Sequence, residues 1–417
     1  MANDGEVYGS KAANSDEVQS AFPPIDRHAY PNNMTVIARI TQGGQPVSGA
    51  EIGVFADDEC RGTSVEIDGL YFITISGEGN GPQLDVRVAH NGQVRSTNAA
   101  LTYVDNAADD SDSIDITLDA QDSEWLHGWL PQEGATLRPR IIGRDWNGPG
   151  DTHVMECGLF ILDDVAYQDA PTTLQVGGVS KPSDTDFSEL ERETIWKNTS
   201  IKRIGESIAG RYGLDFEFDG DDHDIDAKEQ DATDSSFLQD LCDTYALVIK
   251  VYAAKLWVYD REKYKAKDAV WTVYEAAPPG NPTALCVERG SFKWSTKLTG
   301  TYTGGVYTYT NKTKKININV KVGTEERQLK LSGKVSSEAD AKARLIAKLK
   351  NANHGATTIS FTIPGYPVGA SAQCINVVGF GKMAGKYFID EMEHSYSPSG
   401  GYKTQVKASK VEQEEFA

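Results

Sequence analysis

An acidic run between residues 215 and 226 has the strongest ligand-like pattern in this sequence. Counted from its first residue, acidic side chains fall at positions 1, 3, 5, 7 and 12 of an EF-hand loop, and a glycine falls at position 6. Carboxylate oxygens at this spacing can bind Ca²⁺. The candidate metal ligands are therefore Asp215, Glu217, Asp219, Asp221 and Asp226.

The same run also fits a solvated acidic loop that follows a β-strand. Phe216 and Phe218 alternate with the acidic residues, as they would in a strand with one apolar face. Helices at EF-hand distances are not evident on both sides. We therefore expect a surface loop, with neither a metal nor another cofactor. The acidic stretch 109–112 is likewise expected to be a solvated turn.

Other arrangements that could carry chemistry are weaker. His153, Glu156 and Cys157 could form the corner of a metal site, but the surrounding pattern predicts a strand rather than the helix that this spacing needs. Gly333-Lys334 lacks the upstream glycine of a phosphate-binding loop. Neither a His-Glu-x-x-His nor a Gly-x-Ser-x-Gly motif occurs. We predict that the chain is not an enzyme.

Composition indicates a large, β-rich globular chain. The 417 residues, 39% of them apolar and 24% charged, suggest two to four domains. The 39 glycines and 18 tyrosines, against 5 methionines, favour strands and turns. A net charge of −20 argues against nucleic-acid binding, because neutralising phosphates requires clusters of Lys and Arg.

Sequence features also predict the compartment. Five widely spaced cysteines, an odd number, imply no disulfide framework and fit assembly in a reducing cytoplasm. No apolar run approaches the length of a membrane span, so we expect no membrane anchor. The polar first 20 residues lack the apolar core of a signal peptide.

Periodicity divides the chain into segments, with a mainly β fold that carries α/β insertions. Residues 1–32 are predicted to be a flexible leader, and 33–104 a β-sandwich of short strands. Residues 105–186 contain five or six short strands, the number of a small barrel. The sandwich segment contains Gly-Ala-Glu-Ile-Gly-Val-Phe at 49–55 and resembles immunoglobulin-like modules of bacterial surface proteins.

Apolar residues at helical spacing appear in the second half of the chain. Residues 187–268 are predicted to be an α/β insertion. One helix is capped by Asn198, Thr199 or Ser200 and ends at Gly213, where a strand follows, and another begins at Asp234 or Ser235. A hairpin is predicted at 247–259. Residues 269–356 combine strands with a helix capped by Ser337. Residues 357–417 are predicted to form a C-terminal β unit that closes with a glycine-punctuated hairpin of strands at 386–395 and 402–409.

The closing hairpin carries the most specific family resemblance. Its phrase Gly-Lys-Tyr-Phe-Ile-Asp at 385–390, with the phrases at 122–129 and 147–151, resembles the tail-hub proteins of the late control protein D family. The resemblance spans about residues 101–411 and leaves the N-terminal sandwich outside the family's usual pattern. It implies two small β-barrels interleaved with α/β subdomains.

The same resemblance implies a role in a virion tail or baseplate. A homotrimer would join the hexameric tail tube to a trimeric spike, beside other baseplate proteins. Two alternatives stay open, namely a surface adhesin that binds through the sandwich and a hub with cell-wall hydrolase activity. Aromatic residues that could serve the trimer contacts, or equally the core, are Trp257, Trp271, Trp294, Tyr387 and Phe388.

Overall fold

A computed structural model of the 417-residue chain shows a mainly β protein. The structure describes residues 32–38, 41–42, 45–46, 50–56, 59–67, 70–77, 84–90, 93–97, 99–108, 111–119, 130–131, 134–144, 151–169, 172–180, 186–311, 316–397 and 400–411. The predicted leader and the phrases at 122–129 and 147–150 lie outside these residues, except for Asn32. In the part of the chain that the structure describes, no helix has the length and apolar character needed to cross a membrane.

The strands of the first half precede the α/β unit. They are β1 (Asn32–Ala38), β2 (Thr41–Gln42), β3 (Gln45–Pro46), β4 (Glu51–Ala56), β5 (Glu59–Ile67), β6 (Leu70–Gly77), β7 (Leu84–His90), β8 (Gln93–Thr97), β9 (Ala99–Asn106), β10 (Ser113–Asp119), β11 (Thr136–Leu137), β12 (Arg140–Arg144), β13 (Thr152–Glu156), β14 (Phe160–Asp169) and β15 (Thr172–Val179).

The second half contains the helices and the remaining strands. In chain order they are α1 (Asp186–Glu189), β16 (Glu191–Ser200), α2 (Ile201–Arg211), β17 (Asp215–Asp219), β18 (Asp224–Thr233), α3 (Asp234–Thr244), β19 (Leu247–Tyr252), β20 (Lys255–Asp260), α4 (Arg261–Ala266), β21 (Trp271–Tyr274), β22 (Lys293–Thr296), β23 (Gly304–Asn311), β24 (Ile316–Gly323), β25 (Gln328–Ser332), α5 (Glu338–Asn353), β26 (Thr357–Pro364), β27 (Cys374–Val378), β28 (Gly385–Ser397) and β29 (Gly401–Lys410).

An eight-stranded sheet contains most of the N-terminal strands, in the order β13-β12-β1-β6-β5-β4-β7-β8. The hairpin β12–β13, which was predicted to belong to the first barrel, joins this sheet through Thr35 opposite Ile142. Ile141 and Met155 of the same hairpin also pack on the core of the next sheet. One hairpin thus pairs with the first sheet and packs on the core of the second. The predicted boundary near residue 105 stays a prediction.

An eleven-stranded sheet joins the middle of the chain to its end. Its main path is β11-β14-β15-β10-β9-β28-β29-β26-β22, and β27 links β21 to β28. The thirteen-residue strand β28 pairs with β29 along most of its length, with β27 over its first four residues and with β9 over residues 391–396. Described strands of both predicted barrels thus share one sheet.

The α/β unit is layered on that sheet. The small sheet β17-β20-β19 packs one face against α2 and α3, around Ile204, Leu238 and Leu256. Its other face packs Val248 and Tyr259 against the large sheet. The two-stranded ribbon β16–β18 covers the far side of the two helices and completes their core. The ribbon is consequently the outermost layer of the unit.

Helix caps confirm most of the predicted boundaries. The Ser200 hydroxyl accepts from the backbone N–H of Arg203 at the start of α2, and Ser337 does the same for Asp340 in α5. The prediction for α3 was wrong by one or two residues, because Thr233 is its N-cap. Asp234 is instead fully buried and bonded to side chains, which removes it from capping.

Candidate functional site

The carboxylates of the acidic run contact separate partner residues and do not converge on one point. Each of three carboxylates contacts its own cation or hydroxyl on β20 or α4: Glu217 with Lys255 at 2.6 Å, Asp219 with Tyr264 at 2.8 Å, and Asp221 with Lys263 at 3.0 Å. Asp215 lies at the start of β17, whereas Asp226 lies on β18 in a different sheet. Asp215, Glu217 and Asp219 alternate along β17 and so share one face of that strand. The other two acids lie on the following loop and on β18, so this geometry does not form an EF-hand loop.

The second predicted corner is part of β13. His153 Nε2 lies 3.0 Å from Asp151, Glu156 pairs with Arg140 at 2.8 Å, and Cys157 is buried. Burial raises the pKa of the Cys157 thiol to about 12. Among the described residues, no group of three His, Cys, Asp or Glu side chains is placed to hold a metal ion.

The aromatic interface candidates separate by burial. Trp257 and Trp271 are partly buried against core clusters, whereas Trp294 is 42% exposed. Tyr387 and Phe388 are fully buried in β28. The interface prediction for these last two residues is corrected, because Tyr387 and Phe388 fill two different core clusters on opposite faces of β28 and leave no surface for a partner.

A buried ion cluster lies where the α/β unit meets the large sheet. Lys250 Nζ on β19 donates to Asp105 on β9, contacts Asp112 Oδ1 at 3.1 Å, and donates to the carbonyl oxygen of Asn106 at 2.6 Å. Ser371, before β27, donates its backbone N–H to Asp105 Oδ2 at 2.6 Å and its hydroxyl to Oδ1 at 2.7 Å. Four segments of the chain therefore meet at one ammonium group.

The two carboxylates of this cluster differ in the direction of their pKa shifts, although both contact Lys250. Burial would raise the pKa of Asp105, but the charge of Lys250 and the hydrogen bonds from Lys250 and Ser371 lower it below its usual value. Burial raises the pKa of Asp112 to about 7, and Lys250 offsets only part of that effect. Burial likewise opposes the charge on Lys250, yet the two carboxylates raise its pKa. The cluster thus holds a permanent Lys250–Asp105 pair and a second carboxylate that titrates near neutral pH.

The sequence contained one signal for this cluster. Lys250 interrupts the apolar strand Leu247–Tyr252, and a lone lysine there needs a buried partner. The expected solvated turn at 109–112 is corrected for Asp112, which is 2% exposed; Asp109 and Asp110 lie outside the described residues. The Asp112 side chain accepts from the backbone N–H of Asn106 at 2.9 Å, which draws it inward.

A second buried carboxylate holds the ribbon to the helices. Asp234 is fully buried, and Arg211 donates to both of its oxygens at 2.8 and 2.9 Å. Arg192, Tyr212 and Gln230 donate to it as well, at 3.1, 2.7 and 2.7 Å. Burial would raise the pKa of Asp234, but these hydrogen bonds lower it. The carboxylate therefore stays ionised and connects β16, α2 and β18.

Replacing Asp234 by alanine is expected to lower the free energy of unfolding by about 2 kcal/mol, because five hydrogen bonds lose their acceptor while both arginines can still reach water. Since the pKa of Asp234 is lowered, its contribution is present at neutral pH and is lost as the pH falls below about 4. Urea unfolding at pH 7 measures the change. Asp240→Ala, at an exposed position of the same helix, is the control, and an equal loss in both variants would contradict the assignment.

The fold is shared with solved tail proteins. A tail protein from Neisseria meningitidis MC58 aligns with a TM-score of 0.56 at 11% identity, over 87% of this chain and 97% of that chain. A 43 kDa tail protein of prophage MuSo2 from Shewanella oneidensis aligns with a TM-score of 0.52 at 11% identity, over 80% of this chain and 100% of that chain. No protein family and no curated protein matches the sequence. At this identity the likeness shows a common fold.

Proposed function

We propose that this chain is a structural hub subunit of a phage tail or a related contractile injection particle. The observation that carries the proposal is the fold shared with the Neisseria tail protein over 97% of that chain. The predicted resemblance to the late control protein D family agrees with it and suggests the finer role. Three copies form a ring, which joins the tail tube to the spike beside other baseplate proteins.

The internal construction suits such a part. The buried Lys250 and Asp234 clusters tie the α/β unit and its ribbon to the large sheet, so that a subunit transmits force as one body. Location in the tail or baseplate, after assembly in the bacterial cytoplasm, belongs to the same proposal. The proposal includes no catalytic step. Release of soluble fragments from purified cell wall by the chain would contradict that part.

Mass and co-assembly test the proposed function. Light scattering of the purified chain is expected to give about 136 kDa, three times the 45.4 kDa of one copy. Electron cryo-microscopy with the candidate tube and spike proteins from the same genome should then show a ring between them. A chain that stays at 45.4 kDa and binds neither protein would overturn the proposal.

A further inference from the structure

An open cleft at the end of the large sheet carries unpaired positive charge. Its volume is about 600 Å³, and β22, β26, α4 and the end of β9 contribute to its walls. A smaller cavity adjoins it and shares His354. Cations without an ion pair among the described residues line the two: Arg261, Lys293, Lys350 and Lys410.

Two of the three acidic residues in the same walls are already in ion pairs with lysines. Glu262 contacts Lys265 at 2.8 Å, and Glu391 contacts Lys407 at 2.7 Å. The remaining acid, Asp390, lies 3.0 Å from His354 Nε2 and accepts from the Ser409 hydroxyl. Burial lowers the pKa of His354, so this contact leaves the charge of Asp390 unbalanced, and the three acids face a larger number of cations. The buried Nε of Arg261 also has no hydrogen-bond acceptor among the residues described. In a chain with a net charge of −20, this cleft therefore has a local surplus of cations, which is complementary to an acidic partner surface.

Trp294 gives the cleft an apolar anchor. It lies on β22, the last strand on this side of the sheet, and all four residues of that strand are exposed. An indole that is 42% exposed beside unpaired cations has the composition of an interface centre, where aromatic side chains and arginine are enriched.

The outer face of the ribbon β16–β18 has the opposite character. Ile195 is 57% exposed there, and its cross-strand partner is Glu229. Glu193, two residues before it, is exposed opposite Asp231. The alternate residues of the ribbon turn inward, where Trp196 packs on Phe237. The outer face thus presents an isoleucine among three carboxylates, with the exposed Lys197 at one end.

We propose that the acidic ribbon face of one copy docks in the basic cleft of the next copy. This inference rests on the proposed trimeric hub, because a cyclic trimer needs two different, complementary surfaces on each chain. Ile195 would pack on Trp294, and the surrounding carboxylates would meet the unpaired cations. The helices and the small sheet separate the ribbon from the large sheet, so the two surfaces of one copy can serve two different neighbours.

Charge reversal in the full-length chain tests the contact. Arg261→Glu/Lys293→Glu should raise the trimer dissociation constant, measured by analytical ultracentrifugation, at least about tenfold. Glu193→Lys/Glu229→Lys should do the same. The variant that carries all four changes restores opposite charges across the contact and should return the constant to within about threefold of the wild-type value. Raising the salt concentration should weaken the wild-type trimer.

Lys321→Glu/Lys330→Glu, at exposed positions on β24 and β25, is the matched control and should leave the trimer unchanged. Far-ultraviolet circular dichroism verifies that each variant is folded. If the wild type is a trimer and both charge-reversal variants form trimers as tightly, this contact is overturned while the hub proposal stands. Loss of spike binding in those variants would then assign the cleft to another protein. A wild-type chain that is monomeric at every concentration would instead overturn the trimer itself.

Discussion

Replacing Lys250 by methionine is expected to lower the free energy of unfolding by about 3–5 kcal/mol, because it leaves buried carboxylates without their cation. Methionine keeps the length of the side chain, so the loss reports charge and hydrogen bonding rather than a cavity. Asp105, which holds its charge through Lys250 and Ser371, would lose its main stabilising partner. The α/β unit should consequently loosen from the large sheet before the rest unfolds.

Hydrogen exchange resolves where the Lys250→Met chain opens. Protection should fall first in β9, β19 and the segment around Ser371, which the ammonium group connects. Lys255→Met is the matched control, because its partly exposed pair with Glu217 is expected to contribute less than about 1 kcal/mol. Equal losses of stability in the two variants would contradict the role assigned to the buried cluster.

Replacing Asp112 by asparagine is expected to change how stability depends on pH. In the folded chain the pKa of Asp112 is about 7, whereas the ordinary value is 3.8. Between pH 3.8 and about pH 7, Asp112 is therefore protonated in the folded chain and ionised in the unfolded chain. The contribution of Asp112 to stability is therefore complete below about pH 4, falls as the pH rises, and is lost above about pH 7.

Asparagine does not ionise, so the variant should lack this fall. The free energy of unfolding of the wild type should decrease relative to Asp112→Asn by a few kcal/mol between pH 5 and 8, at about 1.4 kcal/mol for each pH unit below the folded-state pKa. Urea unfolding at several pH values measures the difference. The free energy of unfolding of Asp115→Asn, at an exposed position of β10, should depend on pH as that of the wild type does. If Asp112→Asn also shows the wild-type pH dependence, the assignment is refuted.

These two variants test different properties of one junction. Lys250 and Asp105 provide a constant link between the α/β unit and the large sheet, whereas Asp112 makes the junction sensitive to pH. His394 lies near the cluster and stacks on Tyr103. Its burial lowers its pKa to about 4, so it stays neutral over the range in which Asp112 titrates. In the unfolded chain His394 is protonated below about pH 6.5, so it adds a pH dependence of opposite sign to both profiles. Because wild type and Asp112→Asn share this contribution, the difference between their profiles reports Asp112.

Local sequence patterns determined most of the secondary structure. The closing hairpin, predicted at 386–395 and 402–409, is β28 and β29, and the predicted hairpin at 247–259 is β19 and β20. The strand at 215–219 and the helix that begins after Ser200 were also predicted correctly. These predictions succeed because turn residues, caps and the alternation of apolar side chains act over a few neighbouring residues.

Only the tertiary structure decided which charged residues are buried and which aromatic residues are exposed. Asp105 meets Lys250 across 145 positions and Ser371 across 266, so no local pattern could show that these groups share a site. Asp112 looked like part of a solvated turn, and Tyr387 looked available to a partner, until long-range pairing buried both. Burial and its effect on charge depend on contacts between distant segments, whereas hydrophobic periodicity is a property of the segment itself.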